Sequence, residues 1–180
     1  MRIISGKHRG RQLTAPKKLP VRPTTDMAKE ALFNILNNTY YFGDIKVLDL
    51  FSGTGNISFE FASRGCNDIL AIDVHAGCIQ YIDKIANDLE MGIRTLKSDV
   101  FSFLAQNTEK FDIIFADPFY DMELTDFEKI PELVFKNELL LEEGILIIEH
   151  AKQSSLEHLP HFERSRKYGG SVFSFFKYDS

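Results

Sequence analysis

The stretch "IKVLDLFSGTGNISFEFASRG", residues 45–65, decides the fold. Residues 45–51 are a β-type apolar run, Gly53 and Gly55 punctuate the turn that follows, and NISFEFASRG (56–65) has helical periodicity closed by Gly65. A strand that is apolar on both faces and passes through a glycine turn into a helix is the opening unit of a parallel sheet covered by helices. The alternation continues downstream. DILAID (68–73) reads as a strand, followed by a helix to about Asn87–Glu90, the strand IRTLKS and the short helix VFSFLAQ. Next come the strand FDIIFA, a helix over about 126–141 and the strand GILIIEH (144–150). Between Phe162 and Tyr178 the rhythm breaks, because FERSRKY and SVFSFFKY are separated only by Gly169 and Gly170, too short for a crossover. The expectation is a Rossmann-like α/β fold with a seven-stranded sheet: five parallel strands, a C-terminal antiparallel hairpin, and helices on both faces. Upstream, TTDMAKEALFNILNN predicts an amphipathic helix with Thr24 or Thr25 as N-cap and Met27, Ala31, Ile35 and Leu36 on its apolar face.

Composition sets the outer limits. A chain of 180 residues with 44% hydrophobic and 26% charged content matches one soluble domain. No apolar run approaches the roughly 18 residues of a membrane span, and MRIISGKHRGRQL lacks a signal-peptide core. Cys66 and Cys78 have no CxxC spacing and read as buried thiols of a reducing compartment; the expectation is a cytoplasmic monomer without a metal. None of the five histidines (His8, His75, His150, His158, His161) has ligand or triad spacing. The net charge of −5 hides an asymmetry: residues 1–30 carry eight basic and two acidic residues, leaving the other 150 at a net of −11. Ile3, Ile4 and Leu13 around SGKHRG suggest a small basic hairpin over residues 1–23, ahead of a domain over 24–180. Arg2, Lys7, Arg9, Arg11 and Arg22 on that arm suit contact with nucleic-acid phosphates.

The glycine loop DLFSGTGN (49–56) lies at the carboxyl end of a strand, where open α/β sheets bind ligands. Gly53 and Gly55 let a ligand approach the backbone, although a tight structural turn uses the same residues. Asp73, at the end of the next strand, is placed to accept from both hydroxyls of a ribose. Asp49 discriminates between ligands. A carboxylate there repels a dinucleotide's pyrophosphate and attracts the ammonium and sulfonium of S-adenosylmethionine, and Ser58 stands where a dinucleotide fingerprint has its third glycine. Asp99 is positioned for the adenine amine, with the Val100 amide as a second contact; it is equally an N-cap for VFSFLAQ.

Asp117 follows FDIIFA at the same sheet edge, in DPFY. An exocyclic base amine is a poor nucleophile because its lone pair is delocalised. The Asp117 carboxylate and the Pro118 carbonyl can each accept one N–H, holding the nitrogen at a near-attack distance of roughly 3–3.5 Å while the carboxylate stabilises the developing cation. Tyr120 and Phe119 can stack on the extruded base, worth about 1–3 kcal/mol per base. A plain Asp-Pro turn is the alternative.

With these residues, the chain resembles class I S-adenosylmethionine-dependent methyltransferases and, more closely, the RsmD family, bacterial enzymes that methylate the exocyclic N2 amine of a guanine in 16S rRNA. The resemblance rests on RIISGKHRGRQL, RPTTDMAKEALFNIL, VLDLFSGTGNISFEFASRG, AID at 71–73, DPFY and KYGGSVFSFF. It implies that Asp49, Phe51, Gly53, Gly55, Asp73 and Asp99 surround the cofactor and that Asp117, Pro118 and Tyr120 hold the guanine. It also implies that Arg22 and the basic hairpin meet RNA, with the assembled small ribosomal subunit as substrate. The family usually reads DPPY or DPPF; Phe119 replaces the second proline here, removing some rigidity and leaving the Pro118 carbonyl available. The rival readings are an N-methyltransferase for another nucleic acid or a protein, a ribosome-binding factor that keeps the pocket without catalysis, and an NAD-dependent oxidoreductase, which Asp49 and Ser58 disfavour.

Overall fold

The computed structural model describes residues 1–179 and is organised around one seven-stranded sheet. In chain order the elements are α1 (Asp26–Asn37), β1 (Lys46–Leu50), α2 (Asn56–Ser63), β2 (Asp68–Asp73), α3 (Ala76–Asp88) and β3 (Ile93–Lys97). They continue with α4 (Val100–Gln106), β4 (Phe111–Ala116), α5 (Leu124–Lys136), β5 (Leu140–Ala151), β6 (Phe162–Tyr168) and β7 (Ser171–Phe176). The strand order is β3-β2-β1-β4-β5-β7-β6; β1 to β5 run parallel, and β7 pairs antiparallel with both β5 and β6. This is the expected Rossmann-like architecture, hairpin included. Among the described residues no helix is long and apolar enough to cross a membrane, and no group of three or more His, Cys, Asp or Glu side chains is placed to hold a metal ion. Both cysteines are buried free thiols.

The central strands are apolar on both faces because each face carries its own core. Leu48, Leu50, Ile114 and Ile148 pack with Leu104 of α4 and Ile130 and Val134 of α5. On the other side Val47, Ile113 and Ile147 meet Leu32, Phe33 and Leu36 of α1 and Ile57 and Phe61 of α2. Helices thus flank the sheet, and the strand ends are left free as a ligand edge.

Two expectations need correction. The buried face of α1 consists of Ala28, Lys29, Leu32, Phe33 and Leu36, whereas Met27 is 61% exposed. The helix is rotated from the expected face because Lys29 is drawn inward, where its Nζ pairs with Glu60 at 3.4 Å and donates to the Arg2 carbonyl at 2.6 Å and Asn56 Oδ1 at 2.8 Å. Helix α5 stops at Lys136 rather than near 141, and β5 begins at Leu140. Glu138 adopts a positive φ of 51°, which ends the helix and lets Leu140 pair with Phe111.

The first residues form a closed loop: Arg2 and Gln12 make an antiparallel bridge, and Ile3 N donates to the Arg11 carbonyl at 3.0 Å. Ile3 and Leu13 are buried with Phe59, Tyr81 and Ile82. The loop is fastened to α2. Ile4 N and Ser5 N donate to the two oxygens of Glu60, and Lys7 N donates to the Ser63 carbonyl. Gly6 packs so closely, with φ +86°, that a Cβ would fall 1.9 Å from that carbonyl oxygen. Of the eight basic residues counted in the first thirty, Lys29 is internal; Arg2, Lys7, Arg9, Arg11 and Arg22 are exposed.

Candidate active site

A cavity of about 420 Å³ opens at the carboxyl ends of β1, β2, β3 and β4. Asp49, Phe51, Gly53, Asp73, Asp99, Val100, Asp117, Pro118 and Tyr120 all line it, so residues from four strand ends converge on one space. Arg22 lines it too. Arg2, Lys7, Arg9 and Arg11 stand away from it, on the docked loop. Gly55 is the exception among the expected cofactor residues. It lies behind the loop as the N-cap of α2 at φ 82°, where a Cβ would come 2.9 Å from both Ile82 Cγ1 and Phe59 Cε2. Its role is to let the strand turn into the helix.

The loop is locked by Asp73. Gly53 N donates to Asp73 Oδ2 at 2.9 Å and His75 N donates to Oδ1 at 2.8 Å, which leaves each oxygen a further lone pair toward the cavity. Phe51 holds φ 55°, a rare conformation for a non-glycine residue. Its ring meets Phe101 and Phe119 edge-on at 6.4 and 6.3 Å. Phe119 therefore exchanges proline's stiffness for an aromatic contact across the cavity mouth. Asp99 Oδ2 accepts from Ser102 N at 2.8 Å, capping α4, and the residue also borders the cavity. The Arg22 guanidinium sits 5.1 Å from the centre of the Tyr120 ring, which otherwise is exposed.

Three acids share one face of three adjacent strand ends. Asp49 pairs in register with Phe115, and Ala116 with Ile148, so Asp117 and Glu149 follow side by side. Asp49 is buried and accepts from Ser58 Oγ at 2.6 Å. Burial, with a smaller contribution from the Asp73 charge, lifts its carboxyl to about 7 against the opposing Ser58 bonds. Ser58, noted in the sequence only for not being glycine, thus positions the acid. Asp117 has no hydrogen-bond donor among the described residues; burial first, then the charges of Glu149 and Asp49, hold its carboxyl well above the usual carboxylate range. Glu149 was not anticipated. The only available signal was a lone acid in the apolar run GILIIEH.

Carboxyls lifted in this way are short of positive charge, and Arg22 is the only lysine or arginine lining the cavity. A cation-bearing methyl donor fits such an acid-rich lining; a pyrophosphate does not.

Comparison with known proteins agrees with this geometry. A family model described as "Conserved hypothetical protein 95" matches residues 1–177. Ribosomal RNA small subunit methyltransferase D of Escherichia coli K12 is 33% identical over 161 residues, which cover 89% of this chain and 79% of that protein. The solved structure of Escherichia coli yhhF superposes with a TM-score of 0.85 at 29% identity, covering 98% of this chain and 96% of that one. A magnesium protoporphyrin IX methyltransferase from Synechocystis, solved with bound SAM, shares the fold alone, at TM-score 0.64 and 15% identity over 83% of this chain and 77% of its own. Sequence match, sheet order and the acid-lined edge agree: the chain belongs to the RsmD family of class I, S-adenosylmethionine-dependent methyltransferases.

Proposed function

We propose that the protein methylates the exocyclic N2 amine of a guanine in 16S rRNA, acting in the cytoplasm as a monomer on the assembled small ribosomal subunit. The observation that carries the reading is the Asp117 carboxylate, which no donor among the described residues engages, at the rim of a cavity lined by acids. S-adenosylmethionine supplies an electrophilic methyl group on a sulfonium. Asp49, Phe51, Gly53, Asp73, Asp99 and Val100 are the residues proposed to hold it. The Asp117 carboxylate and the Pro118 carbonyl accept the two N–H bonds of the amine, fixing the direction of its lone pair. As the nitrogen becomes cationic the ionised carboxylate lowers the energy of that charge, and the acidic cation then releases a proton. Phe119 and Tyr120, both more than half exposed, are available to the base.

The basic loop supports an RNA partner. It is folded, fastened to α2 through Glu60, and presents Lys7, Arg9 and Arg11 outward. Transfer of labelled methyl groups to small-subunit particles, naked 16S rRNA and DNA tests the function; methyl incorporation into DNA alone would reject the RNA reading. In the same assay an R9A/R11A double variant is expected to bind particles more weakly, with a shallower dependence on salt, and an unchanged slope would remove the loop from the interface.

Binding of the methyl donor carries a pH signature. Burial lifts the Asp49 carboxyl to about 7, so donor affinity is expected to rise as pH increases through that value and the carboxyl ionises. D49N is expected to bind more weakly, with the dependence flattened. Isothermal titration across the pH range reads both; a wild-type affinity that does not vary with pH would exclude a charge role for Asp49.

A further inference from the structure

Glu149 lies on β5 beside Asp117, with both carboxylate oxygens occupied: Thr24 Oγ1 donates to Oε2 at 2.6 Å and Ser171 Oγ to Oε1 at 2.8 Å. It is 6% exposed and does not line the cavity. Thr24 ends the strap of residues 20–24 that crosses the cavity rim and is held a second time, through its carbonyl, by Asn56 Nδ2 at 3.0 Å. On that strap Arg22 covers the Tyr120 ring.

We propose that Glu149 is a positioning residue for methyl transfer, tethering the strap through Thr24 and acting electrostatically on the neighbouring Asp117 carboxylate, so that the two acids work as a pair. Burial raises the Glu149 carboxyl above its ordinary range, but its two donors and the nearby Arg22 oppose that rise and favour negative charge, whereas Asp117 is held well above the usual range and has no donor among the described residues. When one proton is shared between them, it resides on Asp117. The other charged groups around the cavity are Asp49, Asp73 and Asp99 from the neighbouring strand ends and Asp126 of α5, itself paired with Lys129 at 2.8 Å. Only Glu149 and Asp49 raise Asp117 by their charge. The acceptor role requires the ionised form of Asp117, so Glu149 sets the pH at which the site switches on.

This inference rests on the methyl-transfer reading above, and E149Q separates the two. The amide keeps a partner for each hydroxyl but has no charge, so the strap and melting temperature are retained. With the repulsion gone Asp117 ionises more easily, and the acid limb of the single-turnover rate is expected to move to lower pH. Well below the wild-type midpoint the variant becomes several-fold the faster enzyme. E149A, which leaves both hydroxyls without an acceptor, is expected to lose rate at every pH, with E149Q restoring it. Carboxyl carbon NMR follows Asp117 directly in both proteins without turnover, and its midpoint is expected lower in E149Q. Coincident midpoints, or an acid limb that does not move, would overturn the pairing. Absence of transfer by the wild type itself would reject the methyl-transfer reading, while the NMR midpoints still decide whether Glu149 acts on Asp117.

Discussion

Replacing Asp117 by alanine is expected to lower single-turnover methyl transfer on the order of 10³-fold, about 4 kcal/mol of transition-state stabilisation, while donor affinity stays nearly unchanged. The split follows from the carboxyl's surroundings. Burial and the Glu149 and Asp49 charges favour its protonated form, so its removal takes little charge away from the donor site. Its negative charge matters when the amine becomes cationic, and interactions made only at that stage appear in the rate. D117N keeps the shape and one acceptor oxygen but not the charge, and is expected to fall between alanine and wild type. Rapid-quench transfer to small-subunit particles, alongside calorimetric titration of the donor, separates the quantities. An affinity loss as large as the rate loss would place Asp117 in donor binding and remove it from the acceptor side.

The fold was legible where punctuation coincided with pattern. The strands over 68–73 and 111–116 and the helix over 100–106 have their expected limits because turn residues or caps bound each one. The helix expected to reach 141 ran long because the apolar spacing of Leu133, Leu139 and Leu140 continues across Asn137 and Glu138, and periodicity alone does not register a residue turning to positive φ. The face of α1 was misjudged for a related reason. A lysine among apolar positions reads as solvent-facing until the acid that neutralises it is located, and Glu60 lies in another helix, again inside an apolar run.

The site divides along the same line. Residues at strand tips, Asp49, Asp73, Asp99 and Asp117, are readable because the end of a parallel strand is where ligands meet the sheet. What tunes them is nonlocal. Glu149 takes its hydrogen bond from Thr24 across 125 positions, and its effect on Asp117 arises from the strand register. No spacing rule contains that pairing. Tyr120 is similar: its motif position suggested a free stacking face, and only the chain path past Arg22 shows one face already covered.

Glu60→Ala is expected to be the most destabilising single change in the protein, at about 3–5 kcal/mol. Glu60 is wholly buried and accepts from Ile4 N at 3.0 Å, Ser5 N at 3.1 Å and Arg64 Nε at 2.9 Å, with Lys29 Nζ at 3.4 Å. Removing it strands an ammonium that is only 1% exposed and frees the two amides that fasten the basic loop to α2. Burial already depresses Lys29 and the Glu60 charge is the largest opposing influence, so in the variant Lys29 sheds its proton at lower pH. A group whose folded-state affinity for protons is reduced below the unfolded value costs stability wherever the unfolded chain is protonated, so the deficit is greatest at low and neutral pH and shrinks toward alkaline pH. For a domain of this size the loss corresponds to a melting point lower by roughly 6–20 °C, readable by calorimetry. The freed loop is expected to become a site of early proteolytic cleavage between Ser5 and Arg11, and particle binding to weaken with it, while donor affinity in the remaining folded fraction falls less than stability does, because Glu60 itself does not line the cavity. A variant that melts with the wild type and keeps a protease-resistant loop would mean that Glu60 is not what fastens the loop to α2.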